Sequence, residues 1–169
     1  FIFSFFLLTL YSCINRSKLI PLKGIISEKA MVSAAHPLAS AVGVEILKKG
    51  GNAIDAAIAI HFALSVVYPQ AGNIGGGGFA VIRLDDGTIA SLDFRETAPV
   101  FSDRDMYLDN NGKINLNRWS THGNLASGVP GAVDGMFRLH DKFGSLPMFD
   151  LIQPSIELAI NGYALTPLA

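Results

Sequence analysis

Gly50-Gly51-Asn52-Ala53-Ile54-Asp55-Ala56-Ala57-Ile58-Ala59-Ile60-His61-Phe62-Ala63-Leu64-Ser65-Val66-Val67, with Pro69 and then Gly75-Gly76-Gly77-Gly78-Phe79-Ala80-Val81-Ile82-Arg83-Leu84, is the stretch whose reading decides the fold. Asn52 is placed to cap a helix, and Asp55 suits its first turn, where the helix dipole favours negative charge. The body from Ala53 to Val67 is apolar on nearly every face, the mark of a buried helix. Pro69 ends it. Beyond the glycines, Phe79–Leu84 reads as a strand, Asp85-Asp86-Gly87 as a hairpin turn and Thr88–Phe94 as the returning strand.

Working outward toward the N-terminus, His36-Pro37 opens another helix, since proline is tolerated in a first turn. Leu38, Val42, Ile46 and Leu47 recur at helical spacing, Lys48 and Lys49 complement the C-terminal dipole, and Gly50 suits the left-handed cap. Met31–Ala35 is small and apolar and predicts a short buried strand. Toward the C-terminus, Asp109-Asn110-Asn111-Gly112 is a turn. Ser127–Gly131 opens a helix running to about Lys142 and ending at Gly144. A last helix runs from about Phe149 to Asn161, with Pro154 near its first turn and Gly162 as its cap. Helices, then a hairpin, then helices predict a layered α+β fold.

Composition narrows the function. Half of the 169 residues are hydrophobic, 16% are charged and the net charge is −1, so there is material for a core and no basic patch to attract nucleic acid. Phe1–Leu10 is too short to span a bilayer, which takes roughly 20 apolar residues, and fits the apolar region of a secretory signal. Leu10-Tyr11-Ser12-Cys13 is similar to a bacterial lipoprotein processing site, which makes Cys13 a candidate for lipidation; Tyr11 departs from the usual residue there. The bland alternative is a plain signal with an incidental cysteine. Residues 1–13 are thus expected to be a signal peptide, 14–30 a tether and 31–169 a domain. The expected localisation is exported, either periplasmic or anchored to the membrane as a lipoprotein. The chain opens on Phe1 rather than Met and stops just after a helical pattern, so it reads as a piece of a longer domain. Cys13 is the single cysteine, which excludes an internal disulfide and a cysteine-based zinc site.

The candidate chemistry centres on Arg95, which leaves the second hairpin strand. A planar guanidinium can hold a carboxylate through two parallel hydrogen bonds. The competing reading pairs Arg95 with Asp93 or Glu96. Gly75–Gly78 is not a phosphate loop: a helix precedes it, a strand follows it, and no Lys-Ser or Lys-Thr pair is present. Tight turning and close backbone approach explain it better. His61 reads as a satisfied core histidine, His36 as a helix cap, and His122 and His140 as loop and helix-face residues, with no metal-ligand spacing among them. Asp93, Glu96 and Asp103 read as salt partners of Arg95 and Arg104. Trp119-Ser120-Thr121-His122 offers a hydroxyl and a base, discounted because adjacent residues seldom face each other.

Gly50–Ala57, Pro69–Phe79, Asp93-Phe94-Arg95-Glu96-Thr97-Ala98-Pro99 and Ala126-Ser127-Gly128-Val129-Pro130-Gly131 together resemble the gamma-glutamyltransferase family, in family order and spacing, from about Met31 to the end. The resemblance implies an N-terminal-nucleophile hydrolase with an αββα sandwich, of which this chain is the beginning of the large subunit. It implies a precursor that cuts itself, the new N-terminal threonine of the small subunit becoming the nucleophile; no catalytic residue lies in this chain. It implies that Arg95 binds the α-carboxylate of glutathione or another gamma-glutamyl donor. Water, an amino acid or a peptide would be the acceptor, the small subunit the protein partner, and no cofactor or metal is needed. Any contact with a membrane would come through the signal or a lipid. The alternatives are a related self-cleaving amidohydrolase of the cephalosporin-acylase kind and a non-catalytic surface lipoprotein.

Overall fold

The structure, a computed structural model, describes residues 24, 26–114 and 119–165. The chain divides into two units, Phe1–Ala30 and Met31–Ala169. In the first, the described residues are 24 and 26–30, where the Ser27 hydroxyl donates to the Ala30 carbonyl at 2.5 Å. All the described regular elements belong to the second. Among the described residues no helix is long and apolar enough to cross a membrane.

Helix α1 spans Pro37–Lys48 and α2 spans Ala53–Val67. His36 caps α1, its Nδ1 accepting from the Leu38 amide at 3.2 Å. Gly50, at φ +93°, turns the chain out of α1 at the cost only glycine avoids. Asn52 caps α2: its Oδ1 takes the Ile54 and Asp55 amides at 2.8 and 3.0 Å, while Asp55 returns the bond to the Asn52 amide at 2.9 Å. As the all-round apolar pattern requires, α2 is the hub, packed against α1, α3 and α4. Ile46 of α1, Ile58 and Val67 of α2 and Leu151 of α4 are among the largest side chains fully removed from solvent. Each such burial stabilises the fold by about 1.5–3 kcal/mol.

Strands β1 (Phe79–Arg83) and β2 (Ile89–Asp93) form an antiparallel ribbon in which Phe79 faces Asp93, Val81 faces Ser91 and Arg83 faces Ile89. Alternation sorts the faces. Ala80, Ile82, Ala90 and Leu92 turn inward to the helices, whereas Phe79, Val81 and Ile89 are exposed. Gly78 and Phe94 prolong the ladder by a pair of backbone bonds, at 3.4 and 3.0 Å. The chain then runs irregularly to a short 3-10 turn, Asn124–Ala126, with the expected Asp109–Gly112 turn held between the bridged Leu108 and Ile114. Helix α3 spans Ala132–Phe143 and packs on β2; α4 spans Met148–Asn161 and ends at Gly162.

Three expectations need correction. Met31–Ala35 is not a strand: its residues alternate between exposed and half-exposed, and the only described sheet is the β1–β2 ribbon, so it has no ladder to join. Pro154 lies inside α4, beyond its first turn, because the helix begins at Met148 directly after Pro147. His61 is half-buried with its ring edge against Phe62, yet its Nε2 has no partner among the described residues. Burial holds the imidazole below its ordinary pKa.

Candidate functional site

Arg95 sits one residue past the prolonged end of the ribbon. Its backbone amide donates to Asp93 Oδ1 at 3.0 Å, a local turn that aspartate side chains favour. The guanidinium lies over the Phe79 ring, Cζ 5.5 Å from the centroid, within the range of a cation–π contact. Arg95 is exposed, and among the described residues its guanidinium forms no ion pair. The competing reading, a pairing with Asp93 or Glu96, is not seen among the described residues: Asp93 is turned to the backbone. Asp103 likewise accepts from the Asp105 amide at 2.8 Å, and it is Asp105 that meets Arg104, at 3.2 Å.

The stretches singled out in the sequence converge behind this arginine. The Gly76 carbonyl accepts from the Gly131 and Ala132 amides, both at 2.9 Å, so the first turn of α3 is seated on the glycine run. Thr97 and Val129 exchange backbone bonds at 3.1 and 2.8 Å. Side chains are excluded where these segments touch. A Cβ on Gly77 would fall 2.6 Å from Arg95 Cα, and one on Gly131 would fall 2.8 Å from the Arg95 carbonyl oxygen. Close backbone approach, not phosphate binding, explains both glycines, and they fix where the Arg95 backbone lies.

The other candidates are scattered. His140 Nε2 donates to the Leu146 carbonyl at 2.7 Å, tying α3 to the following loop. Thr121 Oγ1 and His122 Nδ1 do meet, at 2.8 Å, although neighbours in sequence; the pair is exposed. No group of three or more His, Cys, Asp or Glu side chains converges as for a metal among the described residues. Cys13, the lipidation candidate, lies outside the described residues.

Two residues escaped the sequence reading. Phe79 beneath Arg95 could have been found from hairpin register, which sets it opposite Asp93. Asp55 is more than a first-turn acid: it is fully buried and also accepts from the Ser145 amide at 3.0 Å, the Ser145 hydroxyl at a shorter distance and the Leu146 amide at 3.5 Å. Burial opposes its ionisation, but these donors outweigh that and hold its pKa below the usual carboxylate value. The signal was a charge set in an otherwise apolar helix.

Helices backing one face of a ribbon, with a glycine-braced arginine at the ribbon's exit, form part of an α+β fold of the N-terminal-nucleophile hydrolase class. The chain belongs to the gamma-glutamyltranspeptidase family, whose model matches residues 39–169. It is 53% identical over 139 residues to a glutathione hydrolase proenzyme of Pseudomonas sp. (strain A14), covering 82% of this chain and 24% of that protein. The crystal structure of Helicobacter pylori gamma-glutamyltranspeptidase is similar with a TM-score of 0.78 and 51% identity, over 83% of this chain and 40% of that one. An acylase ACY 1 proenzyme of Pseudomonas sp. (strain V22) is 44% identical over 82% of this chain and 26% of its own length. The chain thus spans about a quarter of the length of these curated relatives.

Proposed function

We propose that this chain supplies the carboxylate grip of an enzyme that transfers or hydrolyses gamma-glutamyl groups, glutathione being the natural donor, and that Arg95 is the grip. The observation that carries the reading is an exposed guanidinium, braced from behind and flanked by Asp93 and Glu96, that forms no ion pair among the described residues. A gamma-glutamyl donor brings a free α-carboxylate; clamping it fixes the scissile amide relative to the nucleophile. The nucleophile is a threonine at the N-terminus of a small subunit from the same precursor, outside these residues. Relatives named as proenzymes support a processed precursor.

The threonine oxygen bonds to the γ-carbonyl carbon as its proton passes to the threonine α-amino group, and backbone donors hold the oxyanion. The carbon–nitrogen bond breaks and the departing amine takes that proton, leaving an ester. Water or an amine then attacks the ester carbon, the threonine oxygen leaves as its alcohol, and the gamma-glutamyl group is released as acid or new amide. Arg95 contributes position and charge recognition, and no cofactor enters the balance.

In the intact enzyme, Arg95→Ala should raise the KM for a gamma-glutamyl anilide about 100-fold, which corresponds to ~3 kcal/mol for a charge-assisted bidentate contact. A wild-type KM in that variant rejects the role. The identity to an acylase supports a second reading, in which the same scaffold cleaves another acyl group. Comparing the gamma-glutamyl anilide with an acyl β-lactam separates the two: preference for the β-lactam overturns the glutamyl assignment. Export, directed by residues 1–13 and with lipid on Cys13 as membrane anchor, completes the proposal; the supporting observation is the apolar run that ends at Ser12-Cys13.

A further inference from the structure

We propose that Phe79 is a positioning residue for this grip, its ring face holding the Arg95 guanidinium in place while leaving the N–H donors open to a carboxylate. The inference rests on the reading of Arg95 given above. Phe79 begins β1 opposite Asp93, the last residue of β2, and Arg95 follows two residues later, so hairpin register carries the charge to the ring. Among the described residues, core packing does not account for this aromatic. Its side of the ribbon faces away from the helices, and the residue is 67% exposed. A long arginine side chain at a strand exit otherwise spreads over many rotamers. A carboxylate could restrain it, but would occupy the donors and repel a substrate carboxylate. A ring face attracts the cation through its quadrupole and consumes no strong donor. Of the two flanking acids, Asp93 is turned to the Arg95 amide, and Glu96 forms no ion pair with Arg95 among the described residues. Gly77, packed against the Arg95 backbone, and Gly78, paired with Phe94, fix the chain just before the ring.

The test is steady-state kinetics of the intact enzyme with a gamma-glutamyl anilide. Phe79→Leu keeps an apolar side chain and removes the ring face; KM should rise about 2- to 5-fold, the equivalent of an exposed cation–π contact, with kcat nearly unchanged. Phe79→Tyr should restore the wild-type KM. In an Arg95→Ala background, Phe79→Leu should add nothing. Should Phe79→Leu fail to fold, a ring-fluorinated phenylalanine at position 79 keeps the shape, weakens the ring's negative face and should give the same rise. If Arg95→Ala raises KM while an intact ring proves dispensable, or the Phe79→Leu effect persists undiminished without Arg95, the platform is wrong and the grip stands. A wild-type KM in Arg95→Ala overturns both.

Discussion

Asp55→Ala should be among the most damaging single changes in this chain. The carboxylate is fully buried and receives the Asn52 amide at 2.9 Å, the Ser145 amide at 3.0 Å and the Ser145 hydroxyl, with the Leu146 amide at 3.5 Å. Truncation leaves three close donors without their acceptor. At about 1–3 kcal/mol per buried unsatisfied group, discounted because neighbouring losses do not add, the cost is about 4 kcal/mol. Unfolding entropy scales with chain length, and this chain matches only 24% of the length of its relative, so at ~1 °C per kcal/mol the Tm of the intact enzyme should fall by about 4 °C in calorimetry. Ser145→Ala removes only the hydroxyl and should cost about 1 kcal/mol; on the Asp55→Ala background it should cost less, because its partner is already gone. The pH dependence has a fixed sign. The folded pKa lies below the unfolded value, near 3.9, so the contribution is complete above about pH 4 and is lost as pH falls through the folded pKa. An Asp55→Ala enzyme melting within ~2 °C of wild type at pH 7 would refute the reasoning, as would an acid limb that the substitution leaves unchanged.

Arg95→Lys, which keeps the charge but not the planar fork, should recover only part of the KM lost in Arg95→Ala, measured with the same anilide. Gly77→Ala should raise KM about 10-fold and cost about 1–3 kcal/mol in thermal melts, because its Cβ would fall 2.6 Å from Arg95 Cα and push the grip out of place. Cys13→Ala should abolish incorporation of labelled palmitate by cells expressing the full-length protein; equal labelling of wild type and variant counts against lipidation.

Local chemistry made most of the fold readable. Capping residues, the switch from helical to alternating periodicity and the Asp-Asp-Gly turn set α1, α2 and the ribbon within a residue or two, because each signal acts over a few positions. Arg95 was legible from the chemistry of its side chain and from family resemblance. Its surroundings were not. Whether an acid three positions into a helix serves only its own cap or also receives Ser145, ninety positions away, depends on how α3 and α4 return to α2. Met31–Ala35 failed for a related reason: a strand exists only with a partner, and small apolar residues do not name one. The ring under Arg95 was not foreseen because proximity in sequence offered Asp93 and Glu96 as the competing partners, while the backbone turn claimed Asp93 and the ribbon brought up an aromatic from its other strand.

The seating of α3 on the Gly76 carbonyl gives the site a lever arm. Two amides from the start of that helix share one oxygen in the run that braces Arg95, so a tilt or slide of the rod formed by Ala132–Phe143 is delivered to the arginine's main chain. On the proposed reading of Arg95, affinity for a gamma-glutamyl donor would then depend on packing along a helix that need never touch it. Selection for altered donor preference would gather changes along that rod as well as around the cleft.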